Sequence, residues 1–156
     1  MTESDADAIA RFVREAGIPI VEGPVAEATV LPGIAVRDGG LIVDRARLRY
    51  PGDLLHEAGH LAVMTPAARA RASGSVPGSA GAEMAAIAWS YAACVKIGLD
   101  PRVVFHEHGY RGGSAALLAA FASGATIGVP LLRWIGLAGD DFPAMLRWTN
   151  ATGNEP

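Results

Sequence analysis

The stretch LLHEAGHLAV, residues 54–63, is the most informative part of this sequence, because His56 and His60 stand four positions apart in it. Residues four apart lie one above the other on an α-helix, so both imidazoles point to one spot. Glu57 lies about 100° around the helix from His56 and can reach a water molecule there without binding a metal itself. The apolar flanks predict a buried helix whose polar face borders a cleft. Gly59 costs about 1 kcal/mol in a helix interior, and one use for it is close approach of another backbone.

This pattern of residue types indicates metal-assisted hydrolysis. Two neutral imidazoles suit zinc, and a third protein ligand would leave one coordination position for water, whose pKa then falls to about 7. Glu57 would accept the proton of that water as general base, and the hydroxide would attack a polarised carbonyl. We therefore predict Zn²⁺ as the cofactor, His56 and His60 as its ligands, and Glu57 as the catalytic base. The alternative interpretation is two solvent-exposed histidines beside an ordinary helix glutamate.

The third ligand has to come from another part of the chain, because no histidine follows His60 until His106. Glu83 opens the strongly apolar segment at residues 82–97, and no other acidic residue occurs between positions 57 and 100. Its carboxylate would complete a site of two histidines and one glutamate, and we predict it as the third ligand. The alternative role for Glu83 is a favourable interaction with the dipole at the start of that helix.

A second polar cluster, HEHGY, occupies residues 106–110. In an extended stretch His106, His108 and Tyr110 would face the same way. They could supply the third ligand instead of Glu83, or contact the substrate and stabilise the oxyanion of a tetrahedral intermediate. A surface loop without a catalytic role is the remaining alternative, and the sequence leaves all three open.

Hydrophobic periodicity before the motif predicts a helix and strands. The helix covers residues 5–16 and is followed by a short strand at 18–21. Two further segments, 29–36 and 41–48, flank Asp38-Gly39-Gly40, which is typical of a β-hairpin turn. The sheet predicted here is therefore small and contains at least this hairpin.

The rest of the chain is predicted to be mainly helical. Asp53 is the predicted N-cap of the motif helix. Thr65-Pro66 either ends that helix or begins a short one reaching Ala72. After a loop over residues 73–81, further helices are predicted at 82–97, 114–123, 129–137 and 142–148.

Length and composition indicate one globular domain. The chain has 156 residues, of which 51% are hydrophobic and 19% charged, too apolar for a disordered protein. We predict a single domain over residues 1–148 and a disordered tail over 149–156. The net charge of −3 gives no electrostatic basis for binding nucleic acid. The single cysteine, Cys94, excludes an intrachain disulfide framework and is predicted to be a core residue.

Residues 112–132 carry no charge and are long enough to span a bilayer. However, Gly124, Gly128 and Pro130 interrupt this segment, which favours two short buried helices with a break near residues 125–129. The first ten residues lack the apolar run of a secretory signal. We therefore expect a cytoplasmic protein without stable membrane insertion.

The motif residues His56, Glu57 and His60, with Glu83 on the following helix, resemble the site of zincin metallopeptidases of the gluzincin type. The resemblance covers about residues 33–97. It implies a minimal zincin-like domain of the α+β class, in which a small twisted sheet or hairpin packs against a helical bundle that carries the motif helix. It also implies zinc-dependent hydrolysis of a peptide or protein substrate, with a strand near the cleft pairing with that substrate.

Two other functions remain as alternatives. The chain is short and lacks the second lobe of larger peptidases of this class, so a metal-binding regulatory or interaction protein with little or no turnover is the first alternative. A membrane-embedded protease is the second, and it depends on residues 112–132.

Overall fold

The computed structural model describes residues 2–26, 29, 31–74 and 78–156, and these residues form helices and one small sheet around a shared hydrophobic core. The mixed α+β class predicted from the sequence is confirmed. The helices are α1 (Asp5–Glu15), α2 (Asp53–Val63), α3 (Pro66–Ala70), α4 (Ala80–Ile97), α5 (Ser114–Ala122) and α6 (Val129–Trp134). The strands are β1 (Ile20–Glu22), β2 (Ile34–Arg37) and β3 (Gly40–Val43).

The sheet confirms the predicted hairpin and the short strand predicted at 18–21, which is β1 and joins the hairpin in parallel. β3 lies in the centre, antiparallel to β2 and parallel to β1. Asp38 and Gly39 make the hairpin turn with positive φ angles of 49° and 78°, as a two-residue turn between twisted strands requires. The second arm is shorter than predicted, because the N–H groups of Arg47 and Leu48 donate to Asp44 O in a turn. The start of the first arm includes Val30, which lies outside the described residues.

The motif helix α2 begins at Asp53, and the prediction that Asp53 is its N-cap is wrong. Gly52 occupies that position and offers no side-chain oxygen. The Asp53 carboxylate is buried and lies 2.9 Å from Nε2 of His106, so it is engaged by an imidazole instead of a backbone N–H. The short helix after Thr65-Pro66 is confirmed as α3, with the Thr65 hydroxyl accepting the N–H of Ala68.

Helix α2 packs closely against α4, and Gly59 allows this approach. A Cβ atom at Gly59 would lie 3.0 Å from Ala86 O and 3.2 Å from Ser90 Oγ, tighter than ordinary van der Waals contact. The Ser90 hydroxyl lies 2.8 Å from Ala86 O and 3.3 Å from Leu55 O, so it bridges the two helices. The use inferred for Gly59 from the sequence is therefore confirmed.

Helix α4 starts at Ala80, two positions before the predicted start, because the Ser79 hydroxyl caps it by accepting the N–H of Ala82. Cys94 on this helix is fully buried, as predicted, and burial raises the pKa of its thiol to about 12. The uncharged segment at 112–132 forms the two separate helices α5 and α6, as predicted. Among the described helices, none is both long and apolar enough to cross a membrane.

Residues 142–148, predicted as a helix, form a turn instead. Met145 pairs with Ala138 in an isolated antiparallel bridge, and the N–H of Leu146 donates to Leu137 O at 2.9 Å. These long-range bonds take the backbone groups that a helix would have paired locally.

Among the last eight residues, for which the sequence predicts disorder, Asn150 lies against the C-terminal end of α2. Asn150 is 1% exposed, its N–H donates to Ala62 O at 2.8 Å, and its Nδ2 donates to Val63 O at 3.0 Å. The Arg69 guanidinium donates to the carbonyls of Leu61, Met64 and Asn150 itself, each at 2.8 Å. These bonds satisfy the carbonyls that a helix end leaves unpaired.

We predict that Asn150→Ala lowers the free energy of unfolding by about 1–3 kcal/mol, because it leaves the Val63 carbonyl buried without its side-chain partner. Urea unfolding followed by circular dichroism measures this value. Asn154→Ala is the matched control: its side chain bonds Trp134 O at an exposed position, and the change should stay within about 0.5 kcal/mol. Equal losses in both variants would contradict a special role for Asn150.

Candidate metal centre

The side chains of His56 and His60 on α2 and Glu83 on α4 meet where the two helices cross. The Nε2 atoms of the two imidazoles are 3.2 Å apart. Glu83 Oε2 lies 2.8 Å from Nε2 of His60, and Glu83 Oε1 lies 3.9 Å from Nε2 of His56. The structure thus brings together the three residues predicted as ligands, in a group close enough to bind one metal ion.

The two imidazole nitrogens have about the separation expected of two ligands on a small tetrahedral ion. Metal–nitrogen bonds of about 2.0–2.1 Å at tetrahedral angles place neighbouring ligand atoms about 3.3–3.4 Å apart. The two Nε2 atoms, 3.2 Å apart, lie close to this value. The Glu83 carboxylate approaches the two imidazoles with different oxygens, Oε2 at 2.8 Å from His60 and Oε1 at 3.9 Å from His56. Two imidazoles and one carboxylate are also a donor set that zinc accepts in sites with a free fourth position.

Burial and the short contacts give the three groups different protonation behaviour. Burial, together with the neighbouring His60, lowers the pKa of His56 to about 4, so its imidazole is neutral at pH 7. Burial is the largest single effect on His60 and acts to lower its pKa, but the hydrogen bond to Glu83 and the charges of Glu83 and Glu57 together outweigh it, and this pKa is raised. The same hydrogen bond lowers the pKa of Glu83 against the effect of burial. A neutral imidazole and an anionic carboxylate are the forms that bind a metal ion.

Glu57 lies beside the ligand group but takes no part in it. Burial raises the pKa of its carboxyl group, and the nearby charges of Glu83 and Asp53 add to this effect while His60 opposes it. Within the part of the chain that the structure describes, no hydrogen-bond donor or cation lies in bonding contact with this carboxylate. A carboxylate of raised pKa with free oxygens suits a general base.

Tyr110 contacts the second nitrogen of His56. Its hydroxyl lies 2.8 Å from Nδ1 of His56. If Nε2 bound a metal, Nδ1 would carry the proton and donate it to this hydroxyl, which fixes the orientation of the ring. Burial raises the pKa of Tyr110 well above its usual range, so the phenol stays neutral. The structure therefore places Tyr110 where it can orient a ligand, and its predicted contact with substrate stays a prediction.

His106 and His108 do not join the ligand group. His106 stacks on Tyr50 with ring centroids 4.0 Å apart, whereas the His108 side chain is exposed and lies 3.1 Å from the carboxylate of Glu107. The segment is not extended, so the condition under which His106, His108 and Tyr110 would face one way is not met. The N–H of Gly109 donates to the carbonyl of His106 and closes a turn there.

The contact between Asp53 and His106 was not predicted from the sequence. Asp53 stands one helical turn before His56, and burial raises the pKa of its carboxyl group while His106 opposes this shift. Together with the contact of Tyr110 on His56, it fastens both ends of the segment 106–110 to the first turns of α2. The only indication of this contact in the sequence was an acidic residue at the start of an apolar helix, and the same pattern is also typical of an N-cap.

Two cavities flank the candidate metal centre. One, of about 370 Å³, is lined by His60, Met64 and Arg71 among other residues. The other, of about 790 Å³, is lined by residues including Glu83 and Tyr110. The ligand group therefore borders open space on two sides, as a site that acts on a bound molecule requires.

Comparison with known proteins identifies no relative: no family model matches the chain, and no curated protein or solved structure matches it either.

We predict that Glu83→Ala weakens zinc binding at least about 100-fold, because it removes one of the three protein ligands. Competition with a chromophoric chelator at pH 7 measures the affinity. His108→Ala is the control, since that imidazole is exposed and outside the ligand group, and its affinity should equal that of the wild type. Wild-type affinity in Glu83→Ala would exclude Glu83 as a ligand.

Tyr110→Phe should weaken zinc binding about tenfold, because Nδ1 of His56 loses the acceptor that orients the ring. The same competition assay applies. Tyr91→Phe is matched to it, since Tyr91 stacks on Phe121 at 4.5 Å on the core side of α4 and does not contact a ligand. If both phenylalanine variants bind zinc like the wild type, Tyr110 does not orient His56 for metal binding.

Proposed function

We propose that this chain is a zinc-dependent peptidase with a minimal zincin-like domain. In this proposal His56, His60 and Glu83 hold the metal, and Glu57 is the general base. The observation that carries the proposal is the position of Glu83, which the crossing of α2 and α4 brings to 2.8 Å from His60. Glu57, the neighbour of His56 in sequence, stays outside the ligand group, and no described residue forms a hydrogen bond or ion pair with its carboxylate.

The residues around the site divide the chemistry of hydrolysis between them. When bound, zinc supplies Lewis acidity that polarises a carbonyl and lowers the pKa of water to about 7. Glu57 accepts a proton from the attacking water as the new C–O bond forms. It then returns this proton to the amide nitrogen as the C–N bond breaks, so the products are a carboxylic acid and an amine. Its raised pKa helps it to carry the proton between the two steps.

The sheet has less free strand edge for pairing with a peptide substrate than the resemblance implies. The chain's own residues cover one position at the outer edge of β2, where the N–H of Gly74 donates to Val36 O at 2.8 Å, and one in the adjoining hairpin turn, where the N–H of Gly39 donates to Ala72 O at 3.0 Å. A peptide substrate cannot use these two positions unless they open. The proposed substrate therefore binds mainly in the two cavities beside the metal centre.

The covered edge also favours the second candidate function, a metal-binding regulatory or interaction protein with little turnover. Such a protein needs the ligand group but not a strand for pairing with substrate. The two functions differ in one measurable respect, because only the first requires Glu57 as a base.

We predict that Glu57→Gln retains one zinc per chain and lowers peptide hydrolysis by about 10²- to 10⁴-fold, since the amide preserves shape but cannot accept the proton. Initial rates on a quenched fluorescent peptide library, together with metal analysis of the same samples, measure both quantities. Glu107→Gln is the matched control, because Glu107 is exposed and pairs only with His108. Undiminished cleavage by Glu57→Gln excludes it as the base. A zinc-loaded wild type that cleaves nothing in the library supports the regulatory function instead.

A further inference from the structure

The larger cavity beside the candidate metal centre has a mainly apolar wall. Ile87 of α4, Leu117 of α5 and Ile127 after α5 line it, while Glu83 and Tyr110 connect it to the ligand group. Its volume of about 790 Å³ is ample for a bulky apolar side chain and the neighbouring backbone. An apolar cavity that opens next to the reacting position is a place where substrate side chains are distinguished.

Arg111 is the one cationic residue that lines this cavity within the described part of the chain. Its side chain is exposed, and none of the hydrogen bonds or ion pairs among the described residues involves its guanidinium. Some arginines in these ranges have partners, such as Arg45 with Glu22 and Arg102 with Asp100, whereas Arg37 and Arg71 have no side-chain hydrogen bond or ion pair there. What distinguishes Arg111 is its position in the wall of this cavity. The charge of Arg111 therefore remains available to a molecule in the cavity.

The backbone around Arg111 is held in an unusual conformation. Tyr110 and Arg111 have φ angles of 52° and 53°, in the left-handed region that non-glycine residues disfavour. The contact of Tyr110 with His56 accounts for a side chain at the first position. Arg111 makes no contact within the described residues that would explain a large cationic side chain in this conformation. Glycine is used at the next position, since Gly112 also has a positive φ angle.

We propose that this cavity receives a bulky apolar residue of the substrate and that Arg111 binds a carboxylate directly after it. This inference rests on the proposed function, since it assigns the substrate class of the same site. A guanidinium binds a carboxylate through two parallel N–H···O bonds, which distinguishes it from a neutral amide of the same shape. The carboxylate has two chemical sources, the free C-terminus of a peptide that ends in the apolar residue or an acidic side chain that follows this residue.

Binding of labelled peptides to the zinc-loaded Glu57→Gln protein tests the inference without turnover. Four peptides share the core Ala-Ala-Leu and end in a free carboxylate, an amide, Glu-amide or Gln-amide. Fluorescence anisotropy should show at least one carboxylate peptide binding about tenfold more tightly than its amide partner, the size expected for a charge-assisted contact. The free-acid pair and the Glu/Gln pair separate the two sources of the carboxylate.

Substitutions at Arg111 in the same background identify the residue responsible. Arg111→Gln should reduce the preference to less than about twofold, and Arg111→Lys should retain part of it because the charge remains. Glutamine and lysine have the same backbone constraint at this position as arginine, so the turn is kept. Arg147→Gln is the matched control, since Arg147 is exposed and is not part of either cavity lining.

The inference is overturned if no peptide pair shows a preference, or if Arg111→Gln keeps it. Hydrolysis of the same four peptides by the wild type is scored separately. A preference that depends on Arg111 without any cleavage retains the inference about binding and rejects the peptidase. Cleavage without a preference retains the peptidase and rejects the inference about carboxylate binding.

Discussion

The close contact between α2 and α4 determines where the candidate ligands lie. The two helices approach closely at Gly59, since a Cβ atom there would be only 3.0 Å from Ala86 O. His60 follows Gly59 directly, and Glu83 stands one turn before Ala86, so the helix spacing fixes the distance between imidazole and carboxylate. A larger residue at position 59 would move the helices by a few tenths of an ångström. Metal sites tolerate about 0.2 Å in ligand distance, so such a change affects the site more than the stability of the fold.

The rest of the structure holds α2 in place at both ends. An isolated helix of 11 residues is marginally stable in water, so its order has to come from tertiary contacts. Asp53 and His56 bind the segment 106–110 at the N-terminal end, through His106 and Tyr110. Arg69 and Asn150 satisfy the carbonyls at the other end. These four contacts reduce the freedom of the imidazoles before any metal binds, which lowers the entropic cost of forming the site.

Local patterns predicted the parts of the molecule that depend on neighbours in sequence. The spacing of His56 and His60 requires only a helix, and the hairpin requires only the turn at Asp38-Gly39. Glu83 was predicted by elimination, because the adjacent helix contains no other acid. The contacts that were missed join distant residues: the Asn150 side chain bonds Val63 across 87 positions. Asp53 was predicted to be a helix cap because no local sequence pattern indicates its contact with His106, 53 positions away. The turn at 106–110 needs left-handed backbone at Tyr110, which a tyrosine does not signal.

Two glutamates lie in this cluster, and their environments separate their roles. Glu83 accepts a hydrogen bond from His60, and this contact lowers the pKa of its carboxyl group. Glu57 is buried near other carboxylates, none of the described residues donates a hydrogen bond to it, and the pKa of its carboxyl group is raised. A ligand has to remain anionic, whereas a base has to accept a proton at the pH where the reaction runs. Opposite shifts in paired groups are the usual sign of such a division of roles. They support Glu83 as ligand and Glu57 as base, and the reverse assignment would require each carboxylate to act against its environment.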